Sequence, residues 1–501
     1  MPINYIPNDP RMLGNLVAMR QVTPAPNRPA GRAGFVFSGQ VPAGIFTPGI
    51  PGFLFWQCRE AAITALVAWE KITGKPFTKW QGGAKIRLMQ NAGTDLNAFY
   101  DRVSLSFFQA TVAGTTFFSG ASTDVVAHEA GHGILDALRP ALIESNQFEV
   151  NSFHEAFGDC VAIVTALCDN ATRAAVLAKL GQANGVESTA EELSFAIGKA
   201  VPGHNAAKPR TANNAFRWVP PVTLPTTGGP GVLIREIHSF CQVFTGCFYD
   251  LILNILNRLP GGKTDANLLK AATTAGSLLA PAAQQAPLQV QFFRSVGRTM
   301  ALIDAQSNGG ANADSIRSAF LQHGIGLGSA IMLAPQTVLA GAAPLGAKIG
   351  AALKGDLRRR LQMAPGAKLL ANVVEIAGNK VTESIHSRLV GLGHLSSKLK
   401  GVLASAQDSV LVGEVNTRAV VLGDIPSAED SVADVESFVQ SLLDHDKIHF
   451  PGKKGIVASE LKSTATHVIR TIRGKKVLTR IRYQCGEHGA VQLTGPAGGF
   501  T

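Results

Sequence analysis

Cysteine is scarce in this chain of 501 residues: there are six, at 58, 160, 168, 241, 247 and 485, with no CxxC pair and no regular framework. That excludes a disulfide miniprotein and fits reduced, mostly buried thiols in a cytosolic protein. Charge is sparse as well, at 16% of residues against 46% apolar. A disordered chain is thereby excluded, and the length provides for a large core in two or three domains. No apolar stretch is long and clean enough to span a membrane; the nearest, 330–353, is broken by Pro335, Pro344 and Lys348. The opening MPINYIPNDPRM lacks a basic start followed by an apolar run. No secretory signal is expected, and cytoplasmic residence is the default, with export by a route that reads no cleavable signal left open.

Glycine and proline are plentiful, 52 and 26, but recur with no fixed period, which gives a turn-rich globular chain and not a collagen-like one. The balance of 46 Lys+Arg against 35 Asp+Glu is +11, and residues 331–501 hold 21 basic against 14 acidic, most of that surplus. Its densest run, Arg358, Arg359 and Arg360, has no aromatic residues interleaved to stack on bases, so a nucleic-acid partner is not expected.

Turn signals and periodicity divide the chain. Residues 1–55 are irregular with short strands. A helix follows over about 57–72, stopped by Gly74 and Pro76, and then strands at 84–89, 103–110 and 115–119. Helices dominate from 124 onward: 124–138, 152–168, 171–180, 191–201, a long one near 233–259, and 266–279. Composition shifts near 330, and the remainder alternates strands at 410–422, a helix at 431–443 and a hairpin of 466–472 with 476–483. The fold class expected is α+β, in three divisions: 1–140 as a mixed lobe, 141–330 as a mostly helical lobe, and 331–501 as a smaller α+β domain.

The strongest chemical signal is His128-Glu129-Ala-Gly-His132, an HExxH inside a helical pattern that ends at Pro140. The two histidines share one helix face, one turn apart. Two neutral imidazoles so placed can hold one Zn²⁺, and the adjacent Glu129 can reach a metal-bound water as general base. Gly131 and Gly133 each weaken the helix by roughly 1 kcal/mol, so a close backbone approach is expected to compensate. A catalytic zinc needs a third protein ligand and an open position. Glu155 is the best candidate, with Asp159 one turn on to accept the free N–H of a ligating histidine. Ser152-x-x-Glu155 also fits a capping box, and His154 is a rival ligand that points about 100° around the helix from Glu155.

His128-Glu129-Ala-Gly-His132 followed by Glu155-Ala-Phe-Gly-Asp159 resembles the zinc signature of the thermolysin-like gluzincin metallopeptidases. The resemblance covers roughly residues 30–325 and implies a zincin-like catalytic region with a mixed N-terminal sheet and a helical C-terminal lobe. It implies zinc bound by His128, His132 and Glu155, with Glu129 as base and Asp159 supporting His128. Asn97 and Ala98, in Asn97-Ala98-Phe99-Tyr100, look like the family's edge strand that holds the substrate backbone. His238 sits where the family carries an oxyanion-stabilising histidine, and Arg210 where it carries an arginine that binds the substrate carbonyl. The implied activity is hydrolysis of peptide or protein substrates with a single catalytic zinc.

Three departures limit that reading. No Tyr occurs between His132 and Glu155, where the family has a second oxyanion donor. Asp169 is the only carboxylate between 160 and 186, so calcium is not expected. Nothing in the family accounts for 331–501, which would bind either a partner or the catalytic cleft. The alternative function is a zincin-fold binding or scaffold protein with weak or no activity, its metal site, if occupied, closed off by a fourth protein ligand or by the carboxyl-terminal region.

Overall fold

A computed structural model describes residues 1–12, 18–180, 186, 188–189, 196–197, 199–200, 210–229, 231–328, 351–363, 369–376, 378–415, 418–421, 424–450 and 464–485. The expected helix 191–201 lies largely outside these residues, and the expected boundary near 330 lies wholly outside them. The architecture is α+β, with mixed sheets near the amino terminus and a helical region after them.

Four short strands of the first lobe are β1 (Gly34–Phe37), β2 (Lys85–Met89), β3 (Ala98–Tyr100) and β4 (Ser104–Phe107). β1 runs parallel to β2 and β2 parallel to β4, while β3 turns back antiparallel to β4. Between β1 and β2 lies α1 (Pro51–Thr73), longer than expected because Pro51 starts it at the first turn; Gly74, at φ 65°, ends it.

The two helices that carry the motifs are α2 (Thr123–Leu138) and α3 (Phe148–Leu167). The Ser122 side chain caps α2 by accepting from Val125 N at 3.1 Å, and its own hydroxyl donates to Asp9 at 2.7 Å. Every residue of α3 is buried. α4 (Ile237–Arg258), α5 (Asp265–Gln285) and α6 (Phe292–Asn308) pack around it, and α7 (Ala313–Gln322) packs on α4 and α6. α4 is the one single helix among the described residues with the length and apolarity of a membrane span, and its apolar window is mostly buried against the protein. A second span arises only if α3 and the following helix Asn170–Ala178, bent by 97°, are counted as one.

The carboxyl-terminal region builds a seven-stranded sheet from β5 (Leu369–Ile376), β6 (Asn379–Gly391), β7 (Val402–Val415), β8 (Arg418–Val421), β9 (Ile448–His449), β10 (His467–Ile472) and β11 (Lys475–Arg480). The order is β5-β6-β7-β11-β10-β9, with β8 also on β7. The β10–β11 hairpin turns at Arg473 and Gly474, both at positive φ. α8 (Ala428–Asp444) joins this sheet to the helices: Asp434 accepts from Phe148 N at 2.9 Å, capping α3. Apolar contact is continuous from Phe35 in β1 through α2, α3 and α4 to Val435, Phe438 and Leu478.

The last described strand, β12 (Tyr483–Gln484), leaves that sheet and pairs antiparallel with β3. The first sheet therefore reads β12-β3-β4-β2-β1, and β3 is not an open edge.

Candidate metal centre

Glycine lets α2 and α3 approach closely enough to share one set of ligands. A Cβ on Gly131 would lie 2.9 Å from Gly158 Cα, and one on Gly158 would lie 2.8 Å from the His128 ring. Gly133 faces the Trp80 ring at 2.9 Å in the same sense. The close backbone approach expected of the motif glycines is thus met at Gly131, while Gly133 makes room for a side chain instead.

His128, His132 and Glu155 each bring one ligand atom into a buried group whose atoms all lie within 4.8 Å of one another. Glu155 Oε2 is 3.3 Å from His128 Nε2 and 3.8 Å from His132 Nε2. Among the described residues both Nε2 atoms, and both carboxylate oxygens of Glu155 and of Glu129, are buried without a hydrogen-bond partner. Glu155 Oε2 has ion-pair contacts with these histidines, His238 and Arg210 but no hydrogen bond, and so many acceptor-capable atoms crowded together in the interior are costly unless a further cation satisfies them. Two imidazoles and a carboxylate are the donor set of a catalytic zinc, so the residues fit the metal.

Each histidine is oriented from behind. His128 Nδ1 lies 2.9 Å from Asp159 Oδ1, and Asp159 Oδ2 accepts from Thr245 at 3.2 Å. Burial pushes Asp159 up, but Arg210, 3.3 Å away, and His128 outweigh it and hold the carboxyl below its usual range. Burial pushes His128 down, yet Asp159 and Glu155 beside it raise it to about 9. His132 Nδ1 meets His154 Nδ1 at 2.9 Å. His154 is thus absent from the ligand group and stands behind one of its members. Burial drives both His132 and His154 well below the ordinary value; His128 and His238 lower His132 further, and His132 lowers His154.

Glu129 lies beside these ligands, and burial raises its carboxyl to about 8. His238 opens α4. Its Nδ1 sits 2.7 Å from Glu236 Oε1, and Glu236 also caps the helix by accepting from His238 N at 2.7 Å and Ser239 N at 3.0 Å. His238 Nε2 points at Glu155 Oε2, 3.2 Å away. Burial lowers this imidazole, but Glu155 and Glu236 prevail and raise it to about 10. Arg210 Nη1 is 3.7 Å from Glu155 Oε2. Asn97 is buried at the start of β3, where its side chain accepts from Ala98 N at 2.9 Å.

The residues that the sequence did not single out come from the far end of the chain. Cys485 forms a second potential metal group with His128 and Glu129, again within 4.8 Å. Its backbone N–H donates to Ala98 O at 2.9 Å, and Arg210 Nη2 lies 3.7 Å from its sulfur. His238 Nε2 also meets Gln484 O at 2.9 Å. Tyr483 stacks on His154 and His132, with centroids at 4.0 and 4.7 Å. Neither spacing nor a motif marks these three residues, and the pairing with β3 is their one signal. All six cysteines are free, and only Cys168 is not fully buried.

No protein-family model matches this chain, and no curated protein does. The class therefore rests on the site: a buried His/Glu/His cluster from an HExxH helix and a distal glutamate, consistent with a zincin-type metallopeptidase site and supporting zinc-dependent catalytic chemistry.

Proposed function

We propose that the chain is a zinc metallopeptidase of the thermolysin-like kind, in which His128, His132 and Glu155 hold one zinc and peptide bonds are the substrate. The observation that carries the reading is the convergence of orphaned, buried ligand atoms on one point beside Glu129. Zinc held there supplies a Lewis acid that polarises a carbonyl and makes water acidic enough to attack near neutral pH.

The remaining work falls to this chain's own groups. Glu129, free at both oxygens and raised to about 8, accepts a proton from water and returns it to the leaving amine, which requires a carboxyl near the working pH. His238, a cation held by Glu236, donates from Nε2 to a carbonyl oxygen on which negative charge develops. Arg210 keeps Asp159 ionised and sets its charge beside the same oxygen. The β3 backbone at Ala98 aligns an extended peptide, and Asn97 shapes the start of that strand. Residues 331–501 form the part that regulates or addresses this catalytic unit.

Glu129→Gln tests the reading. The variant should keep its zinc and lose ~10²- to 10⁴-fold in hydrolysis of a peptide library followed by mass spectrometry; unchanged hydrolysis contradicts the role.

A second reading is supported by the cover that β12 lays over the site: a metal-holding scaffold with no turnover. It requires zinc at full occupancy and no hydrolysis from any variant that frees the β3 edge.

A further inference from the structure

We propose that Tyr483-Gln484-Cys485 occupies the place of a substrate, so that the chain is latent, with the Cys485 sulfur as a fourth donor to the metal. The proposal rests on the metallopeptidase reading and deepens it.

Three independent features of the segment match what a bound peptide would do. First, β12 lies antiparallel on β3, with Tyr483 opposite Tyr100 and Gln484 opposite Phe99. The Cys485 N–H to Ala98 O bond continues the ladder. This is strand addition to a sheet edge, a recurring way in which an extended peptide is held. Secondly, the Gln484 carbonyl oxygen sits 2.9 Å from His238 Nε2, the donor assigned to the reacting carbonyl. Thirdly, the next side chain places its sulfur in one group with Glu129 and, of the three metal ligands, with His128 alone, against the two unpartnered and fully buried Glu129 oxygens. Sulfur would bind zinc as the thiolate, its proton passing to solvent water as the site closes.

The segment is also anchored outside the cleft. Tyr483 Oη and Arg480 Nη2 both donate to Asn151 Oδ1, at 2.9 and 2.6 Å, and the Arg480 guanidinium lies 3.8 Å over the Tyr483 ring. These contacts tie the blocking strand to α3, the helix that supplies Glu155. A substrate that resembled this segment but lacked its anchor would dissociate; the segment stays because it is held on both sides.

The test uses the full chain and two variants. Cys485→Ser keeps the shape and removes the soft donor; Cys485→Pro removes the N–H that bonds Ala98. Zinc per chain is measured first, then the absorption of the cobalt-substituted proteins, then hydrolysis of a fluorogenic peptide. Expected are zinc in all three, a thiolate-to-cobalt charge-transfer band in the wild type alone, and at least a tenfold rise in hydrolysis in the variants, as follows when a blocked state outnumbers the open one by about ten. Should Cys485→Pro melt far below the wild type, the cobalt band and rate of Cys485→Ser decide alone. Zinc in all three with no such band and equal rates overturns the proposal and leaves the metallopeptidase reading standing. A product ending at Gln484 overturns it too, since the segment would then be a substrate cut in cis. No zinc in any protein removes the metallopeptidase reading itself, and the latency with it.

Discussion

His132 and His154 share one hydrogen bond between their Nδ1 atoms, 2.9 Å apart. One nitrogen must donate and the other accept, so at least one ring is neutral. When His132 presents a lone pair at Nε2 to a metal, its proton resides on Nδ1 and His154 is the acceptor. His154 thus does for His132 what Asp159 does for His128. Replacing it, as His154→Ala, should weaken zinc binding by ~10- to 100-fold, measured by competition with a chromophoric chelator. Unchanged affinity would show that the contact orients nothing.

Gly158 is the point where α3 reaches the metal helix. A methyl group there would sit 2.8 Å from the His128 ring, and fully buried neighbours leave the ring little room to move. Gly158→Ala is expected to cost ~1–3 kcal/mol in denaturant unfolding and to lower zinc affinity as well. Loss of stability with zinc affinity intact would separate packing from ligand placement.

Two carboxyls at the start of α3 give the protein a pH signature unrelated to the metal. Burial raises Glu149 to about 8 and Asp434 to about 8, against hydrogen bonds to Glu149 from Trp218 and Phe293 and to Asp434 from Phe148. Both hold protons in the folded chain at a pH where the unfolded chain has released them. Their contribution is full below the ordinary carboxylate range and is lost as pH rises through about 8. Thermal melts should therefore fall between about pH 6 and about pH 9, and less so in Asp434→Asn. A wild-type curve parallel to that of the variant would contradict this assignment.

Both helix motifs were legible in the sequence because their spacing is local. His128 and His132, and Glu155 and Asp159, are one turn apart, and periodicity alone puts each pair on one face. The α+β class followed from alternating turn signals and helical runs. The start of α3 was not legible: Ser152-x-x-Glu155 reads as a cap, yet the helix begins at Phe148 because its donor is met by Asp434 from α8. Ser152 instead donates to Phe148 O inside the helix, which removes the capping role for Glu155. β5 was missed since much of its surface is exposed, and β6 because its buried face carries the polar residues Thr382, Ser384 and His386, which hide the alternation. Cys485 was unreadable for a different reason. Its meaning depends on a pairing with β3 across almost the whole chain, and no local pattern encodes that.

The most direct test of the central claim is zinc per chain, measured on protein purified without added metal and again on Glu155→Ala. The account predicts about one zinc in the wild type and its loss in the variant, because three protein ligands define such a site. A wild-type chain that takes up no zinc even after supplementation, or a Glu155→Ala chain that holds it equally well, would contradict the metal centre formed by His128, His132 and Glu155.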